Sequence, residues 1–374
     1  MATPRKATPR KATVKPVIPR KAAARAARTP DPRRAELRQR LRQQTRRALI
    51  GDGPAVGIDI GGTKVAAGVV DGEGRVVAQL RRVTPTTSPQ GVEDTIAEIV
   101  EEFARDHDIV SVGIGAAGFV DAERSTVLFA PHLAWRHEPL REAVERRVRA
   151  RLGRRVGRRT VVENDANAAA WGEYRFGAGR GESRLLCVTL GTGIGGGIVT
   201  SGSVQRGRYG IAGEFGHMIV VPGGHRCECG NRGCWEQYAS GNALVREARE
   251  LARANSPVAH RLLDMAGGDP EAITGPLVTE AARGGDPAAT ELFEDVGRWL
   301  GIGIANLAAA LDPGTVVIGG GVSDADELLL GPAREAYRRT LTGRGFRPEL
   351  RIARAELGPQ AGLVGSADLS RGWG

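Results

Sequence analysis

Residues 55–71 read AVGIDIGGTKVAAGVVD, and residues 183–204 read SRLLCVTLGTGIGGGIVTSGSV. Each stretch consists of an apolar run, a glycine-rich turn and a second apolar run, which is typical of two strands joined in a hairpin. The first turn spans 61–64 and the second spans 191–197. Because the pattern occurs twice, the sequence predicts an α/β fold of two similarly built lobes, with a ligand bound in the cleft between them.

Glycine-rich turns that follow strands are candidate anion sites, since glycine lets backbone N–H groups approach a phosphate closely. The first turn resembles a Walker loop, but Thr63 and Lys64 stand in reversed order and a strand follows it instead of a helix. The second turn fits the pattern GxGxxG, yet the strand that follows disfavours a dinucleotide-binding fold. A third glycine run lies at 319–321, after a predicted strand at 315–318. Each turn alone is compatible with an ordinary tight turn, whereas the three together favour a nucleotide whose phosphates span two hairpins.

Strands and helices alternate through the rest of the predicted fold. Further strands are predicted at 75–83, 109–116, 159–162 and 350–355. Helices are predicted at 90–105, 139–152, 168–177, 242–255, 276–283, 288–311 and 325–341, and from about 361 onward.

A glycine-rich stretch at 213–241, GEFGHMIVVPGGHRCECGNRGCWEQYASG, holds three of the four cysteines. Four of its side chains form a candidate metal site: His217, Cys227, Cys229 and Cys234. A Cys3His set suits a tetrahedral zinc ion with a structural role. His225 is a rival nitrogen ligand, but its closeness in sequence to the first cysteine would cramp the chelate ring. Free thiols in a glycine loop are the alternative to any metal.

Glu214 and Glu236 flank this cluster in the sequence. They are either ordinary surface carboxylates or acceptors for the hydroxyl groups of a ligand held beside the metal.

Asp165 lies between a predicted strand and a predicted helix, directly after Asn164. A helix N-terminus is expected to keep this carboxylate ionised at neutral pH. It could then accept the proton of a hydroxyl group as a γ-phosphoryl group arrives in line. Asn164 could hydrogen-bond a second hydroxyl of the same polyol. The alternative is that the aspartate only caps the helix.

The basic charge of the chain is concentrated near its N-terminus. Residues 1–50 hold 16 Lys and Arg residues against Asp31 and Glu36, and the sequence ATPRK occurs at 2–6 and again at 7–11. Because the whole chain carries +10 and these residues carry +14, residues 51–374 carry −4. We predict a largely disordered tail. It is either a dispensable extension or an arm that contacts nucleic acid, polyphosphate or another polyanion.

The sequence predicts no membrane association. It has no run of about 18 apolar residues and no apolar segment after the N-terminal charges that would indicate a secretory signal. Four cysteines, three of them clustered, fit a reducing compartment. A cytoplasmic location is expected.

Four motifs resemble those of the ROK family, which contains bacterial sugar kinases and sugar-responsive repressors: DIGGTK at 59–64, ENDANAAAWGE at 163–173, LGTGIGGG at 190–197 and the cysteine-containing block at 213–241. The resemblance covers about residues 55–370. Within the family, GAAGFVD at 115–121 and FAPHLAWRHEPL at 129–140 resemble the actinobacterial glucokinases of the ATP-dependent type.

The resemblance implies a specific reaction and a role for each motif residue. The reaction would be ATP-dependent phosphorylation of glucose on its 6-hydroxyl, with Asp165 as general base. Glucose hydroxyls would be bound by Asn164, Glu214, His217 and Glu236. His217 would use its other ring nitrogen to complete the structural zinc site with Cys227, Cys229 and Cys234. The ATP phosphates would be held by Gly61, Gly62, Thr63, Lys64, Gly191, Thr192 and Gly193. Asp59 would lie near Mg²⁺, and the adenosine would lie against Gly319, Gly320 and Gly321.

The resemblance also implies the duplicated actin/hexokinase-like, or ribonuclease H-like, fold and a dimer or tetramer. A small lobe would span 51–166, completed by a C-terminal helix in 358–374, and a large lobe with the zinc loop would span 167–357. Three alternatives remain open: another hexose or N-acetylhexosamine as acceptor, polyphosphate as donor, and a sugar-responsive repressor. The repressor is disfavoured because the first 50 residues show no apolar pattern of two helices.

Overall fold

The computed structural model describes residues 53–153 and 159–372, and all of them belong to one compact unit. The predictions for residues 1–50 therefore lie outside the described residues. The strands are β1 (Ala55–Ile60), β2 (Lys64–Val70), β3 (Val76–Val83), β4 (Ser111–Ala116), β5 (Phe119–Val120), β6 (Val127–Phe129), β7 (Arg136–Glu138), β8 (Thr160–Asn164), β9 (Arg184–Leu190), β10 (Ile194–Thr200), β11 (Ser203–Val204), β12 (Thr315–Gly319) and β13 (Arg351–Arg354). The helices are α1 (Pro89–Phe103), α2 (Leu140–Leu152), α3 (Asp165–Phe176), α4 (Glu236–Ala239), α5 (Gly241–Arg253), α6 (His260–Met265), α7 (Gly275–Arg283), α8 (Pro287–Leu311), α9 (Glu327–Thr340) and α10 (Ala361–Ser370).

Two five-stranded sheets share one topology. Their strand orders are β3-β2-β1-β4-β8 and β11-β10-β9-β12-β13. In each sheet the central strand pairs antiparallel with its hairpin partner and parallel with the strand on its other side. This repetition confirms the duplicated α/β plan predicted from the two glycine hairpins.

Each sheet has its own apolar core. The core of the first sheet includes Ile58, Ile96 and Trp135, and that of the second includes Trp235 and Phe293. All five side chains are fully buried. Each sheet is thus packed on its own core, and the carboxyl ends of its strands remain available for polar residues.

The carboxyl edges of the parallel strands carry the predicted site residues. Asp59 lies near the end of β1, and Asn164 ends β8 opposite Ala116 of β4. In the second sheet, Thr189 on β9 lies opposite Gly319 at the end of β12. Ligands of open α/β sheets typically bind at this edge.

Two helices exchange sheets. Helix α3 follows β8 of the first sheet but packs on β9 and β10 of the second, while α10 follows β13 of the second sheet and packs on β1 and β4 of the first. The two helices also contact each other. Glycine permits this close approach, because a Cβ on Gly113 would lie 1.8 Å from the Ser366 carbonyl oxygen and one on Gly365 would lie 1.8 Å from that of Ala168. The exchange interlocks the two halves.

Most predicted elements occur within about three residues of their expected bounds. The second glycine turn is shorter than the predicted 191–197. It is confined to 191–193, and Gly195, Gly196 and Gly197 lie inside β10. A Cβ on Gly196 would lie 2.3 Å from the Phe215 ring, and one on Gly197 would lie 2.4 Å from the Ala170 Cβ. These glycines therefore serve close packing and do not turn the chain.

Two features are absent from the sequence predictions. The first is a small sheet of order β5-β6-β7, whose strands have only two or three residues each. The second is a pair of short helices, α4 with four residues and α6 with six. Elements this short carry too few residues to show a hydrophobic period. No helix in the described ranges has both the length and the apolar character that crossing a membrane requires.

Candidate active site

A cavity of about 170 Å³ opens at the carboxyl edges of β1, β9 and β12. Its lining includes Asp59, Asp165, Thr189, Gly319 and Gly320. Residues of both sheets thus meet in one space, and three separately predicted motifs contribute to it.

Asn164 and Asp165 have different roles at the start of α3. Asn164 is the N-cap: its Oδ1 accepts the Asn167 N–H at 2.9 Å. Its Nδ2 donates to the Gly118 carbonyl and to Asp165 Oδ1, both at 3.1 Å. Asp165 Oδ1 also accepts the Ala166 N–H at 2.9 Å. Capping therefore belongs to the asparagine, and the aspartate is a residue of the cavity wall.

Carboxylates crowd this end of the molecule. Burial, together with the nearby carboxylates of Asp59 and Glu214, raises the pKa of Asp165 to about 7 even though the Ala166 N–H bond opposes the shift. With this pKa, Asp165 is only about half ionised at neutral pH, so the effect of the helix N-terminus is smaller than predicted because desolvation and like charge oppose it. Burial also raises the pKa of Asp59, against the opposing charge of Lys64. A carboxyl group that titrates near neutral pH is well suited to general base catalysis.

The first glycine turn is closed by backbone hydrogen bonds. The Gly61 N–H donates to the Lys64 carbonyl at 3.0 Å. Thr84 anchors the turn, since its Oγ1 donates to the Gly61 carbonyl at 2.8 Å and its N–H donates to the Thr63 carbonyl at 3.2 Å. The side chains of Thr63 and Lys64 are exposed. Gly62 lies against His132, whose Cβ would be 3.0 Å from a Cβ at Gly62.

The second glycine turn contacts the region of the cysteine loop. The Gly191 N–H donates to the Gly193 carbonyl at 3.0 Å, and the Gly241 N–H donates to the Gly191 carbonyl at 2.9 Å. Glu236 Oε2 accepts the Ile194 N–H at 3.4 Å. The side chain of Thr192, at the tip of this turn, is exposed. Glu236 therefore joins the turn to the neighbouring cluster.

The four predicted metal ligands lie together. One ligand atom from each of His217, Cys227, Cys229 and Cys234 falls within 4.8 Å of the others. Cys229 Sγ lies 3.6 Å from Cys234 Sγ, and Cys227 Sγ lies 3.6 Å from His217 Nδ1. A zinc ion with Zn–S bonds of about 2.3 Å places its sulfur ligands roughly 3.7 Å apart. The spacing and the chemistry of the donors therefore fit zinc.

His225 is held outside this cluster. The backbone N–H of His225 donates to the Tyr238 hydroxyl at 2.9 Å, and the centroids of the two side-chain rings lie 5.2 Å apart. The structure thus favours His217 as the nitrogen ligand, as the sequence did.

Glu236 and Glu214 lie beside the cluster. Glu236 Oε1 accepts the Cys227 thiol at 3.1 Å and lies 3.6 Å from His217 Nδ1. Burial raises the pKa of Glu214, while His217 opposes this shift and Glu236 adds to it. Glu236 thus connects the cluster to the start of β10, where it also accepts the Ile194 N–H.

Glu163 was missed by the sequence analysis. Its side chain is only 3% exposed, and two arginines contact it: Arg206 Nε donates to Glu163 Oε2 at 2.7 Å, and Arg124 Nε lies 3.2 Å from the same oxygen. Its position beside Asn164 in ENDANAAA was the only local signal. Both arginines are distant in sequence, so no short-range pattern predicts the contact.

Comparison with known proteins gives matches over nearly the whole described chain. The family model described as ROK family matches residues 55–372. A glucokinase of Streptomyces coelicolor is 51% identical over 319 residues, which covers 85% of this chain and 98% of that protein. A glucokinase of Thermotoga maritima is 36% identical over 319 residues, covering 84% of this chain and 96% of its own length.

A solved structure matches the fold as well. It is that of a ROK family glucokinase from Streptomyces griseus in complex with glucose and AMPPNP. The TM-score is 0.77 at 52% sequence identity, and the match covers 86% of this chain and 100% of the other.

Proposed function

The chain belongs to the ROK family, and we propose that it transfers the γ-phosphoryl group of ATP to the 6-hydroxyl of glucose, giving glucose 6-phosphate and ADP. The observation that carries this proposal is the cavity in which Asp165 meets Asp59 and Gly319 from the other strand ends. The glucokinases of Streptomyces coelicolor and Thermotoga maritima match over nearly their whole length, and the similar glucokinase of Streptomyces griseus was solved with glucose and AMPPNP.

Asp165 acts as the general base. Its ionised form accepts the proton of the glucose 6-hydroxyl as that oxygen forms a bond to the γ-phosphorus and the bond to the β-phosphate oxygen breaks. The proton remains on the carboxyl group and then passes to solvent. A pKa of about 7 makes the carboxylate a stronger base than an exposed aspartate and still leaves it partly ionised at neutral pH.

The donor is held between the two glycine turns. In the turns 61–64 and 191–193, backbone N–H groups other than those of Gly61 and Gly191, which close the turns, bind the phosphates. Thr63, Lys64 and Thr192 assist them, and 319–321 receives the adenosine. Asp59 would hold Mg²⁺, and the ion would supply positive charge that offsets the charge of the phosphates. Burial raises the pKa of Asp59, and a cation bound beside this carboxylate would favour its ionised form.

The acceptor lies on the side of the cysteine loop. Asn164, Glu214, His217 and Glu236 bind glucose hydroxyls, and zinc on the Cys3His set fixes the loop that carries the last three. Zinc held by these four protein ligands would have no position open for catalysis. Its role is structural.

We retain three further proposals from the sequence. The small lobe comprises 51–166 with 358–374, which the packing of α10 on the first sheet supports, and the large lobe comprises 167–357. The enzyme assembles as a dimer or tetramer, to be measured by analytical ultracentrifugation. It acts in the cytoplasm.

The decisive experiment compares wild type with Asp165→Asn in a coupled assay for glucose 6-phosphate. Glucose, mannose and N-acetylmannosamine serve as acceptors, and Mg-ATP and polyphosphate serve as donors. We expect turnover of glucose with ATP and a loss in the variant of about 10²-fold or more in kcat. Asp269→Asn is the matched control, because Asp269 is exposed and caps only a short 3₁₀ helix.

Three outcomes would change the proposal. Turnover with another sugar alone would keep the kinase and replace its substrate. Turnover with polyphosphate alone would replace the donor. Glucose binding without turnover by the wild type would refute the kinase and favour a sugar sensor.

A further inference from the structure

The buried carboxylate of Glu163 connects β8, the strand that leads to Asp165, with an arginine from each half of the molecule. The first half is built on the sheet of β1 and the second half on the sheet of β9. Glu163 precedes Asn164 on β8, and its Oε1 accepts the Asn164 N–H at 3.3 Å and Asn167 Nδ2 at 3.2 Å. Its Oε2 contacts Arg124 at 3.2 Å and Arg206 at 2.7 Å. One carboxylate thus holds the first turn of α3 with one oxygen and two guanidinium groups with the other.

Arg206 connects Glu163 to the acceptor side of the site. It follows β11 in the second half and begins the loop that ends at Glu214. The Arg206 carbonyl accepts the Ala212 N–H at 3.0 Å, which closes this loop on itself. Gly210 at its tip lies against the β5–β6 hairpin, since a Cβ there would be 2.1 Å from the Val120 carbonyl oxygen. The loop is therefore tied to the first half at two points.

Arg124 reaches Glu163 from that same hairpin. Its φ of 59° places it in the left-handed region, which is uncommon for a residue with a side chain. Its carbonyl accepts the Val162 N–H at 3.2 Å, directly beside Glu163 on β8. Both the backbone and the side chain of Arg124 thus fasten the hairpin to the catalytic strand.

We propose that Glu163 is a positioning residue for phosphoryl transfer: through Arg206 and Arg124 it fixes the distance between the Asn164–Asp165 pair and the loop that carries Glu214. This inference rests on the proposed function. It assigns to Glu163 the relative placement of the base and the sugar-binding residues, and no contact with the sugar or the nucleotide. Misplacement of reacting groups by about 1 Å costs about 10²-fold in rate.

The test uses the full chain and removes the contact between Glu163 and Arg206 from either side. In Glu163→Gln and in Arg206→Gln we expect kcat/KM for glucose to fall about 10²-fold and the calorimetric Kd for glucose to rise, with KM for Mg-ATP unchanged. The double variant should be no worse than the poorer single variant, because both changes break the same contact. Glu163→Asp, which keeps the charge, should recover part of the loss.

The control is Glu182→Gln. Glu182 is a partly buried carboxylate that accepts a hydrogen bond from Thr315 and lies outside the cavity lining. Should Glu163→Gln fail to fold, Arg206→Gln alone decides, since it leaves the buried strand unchanged.

Two results would overturn the inference: wild-type kcat/KM in both single variants, or equal losses in the glucose and ATP parameters. Absence of wild-type turnover would instead contradict the proposed function. The glucose Kd of the variants would then still show whether the link places the sugar-binding loop.

Discussion

At the scale of single residues, the surroundings of Asp165 affect its pKa more than its position at the start of α3 does. Two elementary effects act on this carboxylate in opposite directions. The helix N-terminus favours its ionised form, whereas burial beside Asp59 and Glu214 favours the protonated form. Burial has the larger effect, so the pKa of Asp165 is higher than its position at a helix N-terminus predicts.

The pH dependence of activity should report this pKa. Below about pH 7, kcat/KM for glucose is expected to fall about tenfold per unit, since only ionised Asp165 can accept the proton. Initial rates at low glucose between pH 5 and 9 measure it, with the coupling enzymes in excess at each pH. A plateau that continues down to about pH 5 would show that Asp165 titrates like an exposed aspartate.

Removing the charge of Asp165 should stabilise the fold. Between about pH 4 and 7 the native state holds a proton that the unfolded chain has lost, so stability falls as pH rises through this range and stays low above it. Asp165→Asn avoids this loss and should gain at most about 4 kcal/mol at pH 8 and little at pH 4. Denaturant unfolding at both pH values measures the difference. A gain that is the same at both would exclude ionisation as its cause.

At the scale of elements, the cysteine loop (residues 218–235) contains no helix or strand, only isolated bridges. The metal-ligand cluster at this loop consists of three thiols and one imidazole, whose ligand atoms lie within 4.8 Å of one another. Binding a metal to such a set supplies folding free energy directly.

Ligand substitution separates the two histidines. We expect one zinc per chain in the wild type and in His225→Ala, and a marked loss of zinc in His217→Ala, because only His217 reaches the thiols. Atomic absorption after dialysis against a chelator measures the content, and the melting temperature should fall with it. Equal retention in both variants would remove His217 from the ligand set.

Glycines in the packed elements have a different role from glycines in the turns. Gly113→Ala should destabilise the protein by about 1–3 kcal/mol, because its Cβ would lie 1.8 Å from a carbonyl oxygen of α10. Gly61→Ala should leave the melting temperature unchanged, since the nearest atom to its Cβ is 3.6 Å away, but should raise KM for ATP at the proposed phosphate site. Calorimetric melting and ATP kinetics of the two variants give the comparison. A stable Gly113→Ala protein would contradict the close packing of α10 on the sheet.

At the scale of the whole molecule, the exchange of helices places the site. Because α3 and α10 each leave the sheet of their preceding strand for the other sheet, the carboxyl edges of both sheets face a common cavity. The duplication thus yields one site composed of two unlike halves, with the proposed base, Asp165, at the start of the exchanged helix α3. The residues proposed for the donor come from both sheets, and so do those proposed for the acceptor.

The basic segment 1–50 should give the chain a salt-dependent affinity for polyanions. Its 16 Lys and Arg residues stand against two acidic residues, while 51–374 is net negative. We expect the full chain to retard duplex DNA and polyphosphate at low salt and to lose this binding steeply between about 50 and 200 mM salt. Gel shifts with the full chain and with a variant lacking 1–50 test it. Equal retardation by both would place the polyanion contact elsewhere.

The sequence by itself determined the features that depend on neighbours along the chain. Two hairpins with glycine turns predicted the duplicated fold, the cysteine spacing predicted the cluster, and ENDANAAA indicated Asp165, which lines the cavity and is the proposed base. Such features need only residues that are close in sequence, so local pattern and ligand chemistry are enough to find them.

Only the tertiary structure decided what depends on distant contacts. It showed that Gly196 is needed for packing, that α10 lies on the first sheet, and that Glu163 joins Arg124 and Arg206. It also set the pKa of Asp165, since burial and the charge of Asp59 arise only when both sheets are in place. Desolvation and steric fit are properties of a three-dimensional neighbourhood, and this is the physical reason that no local pattern contains them.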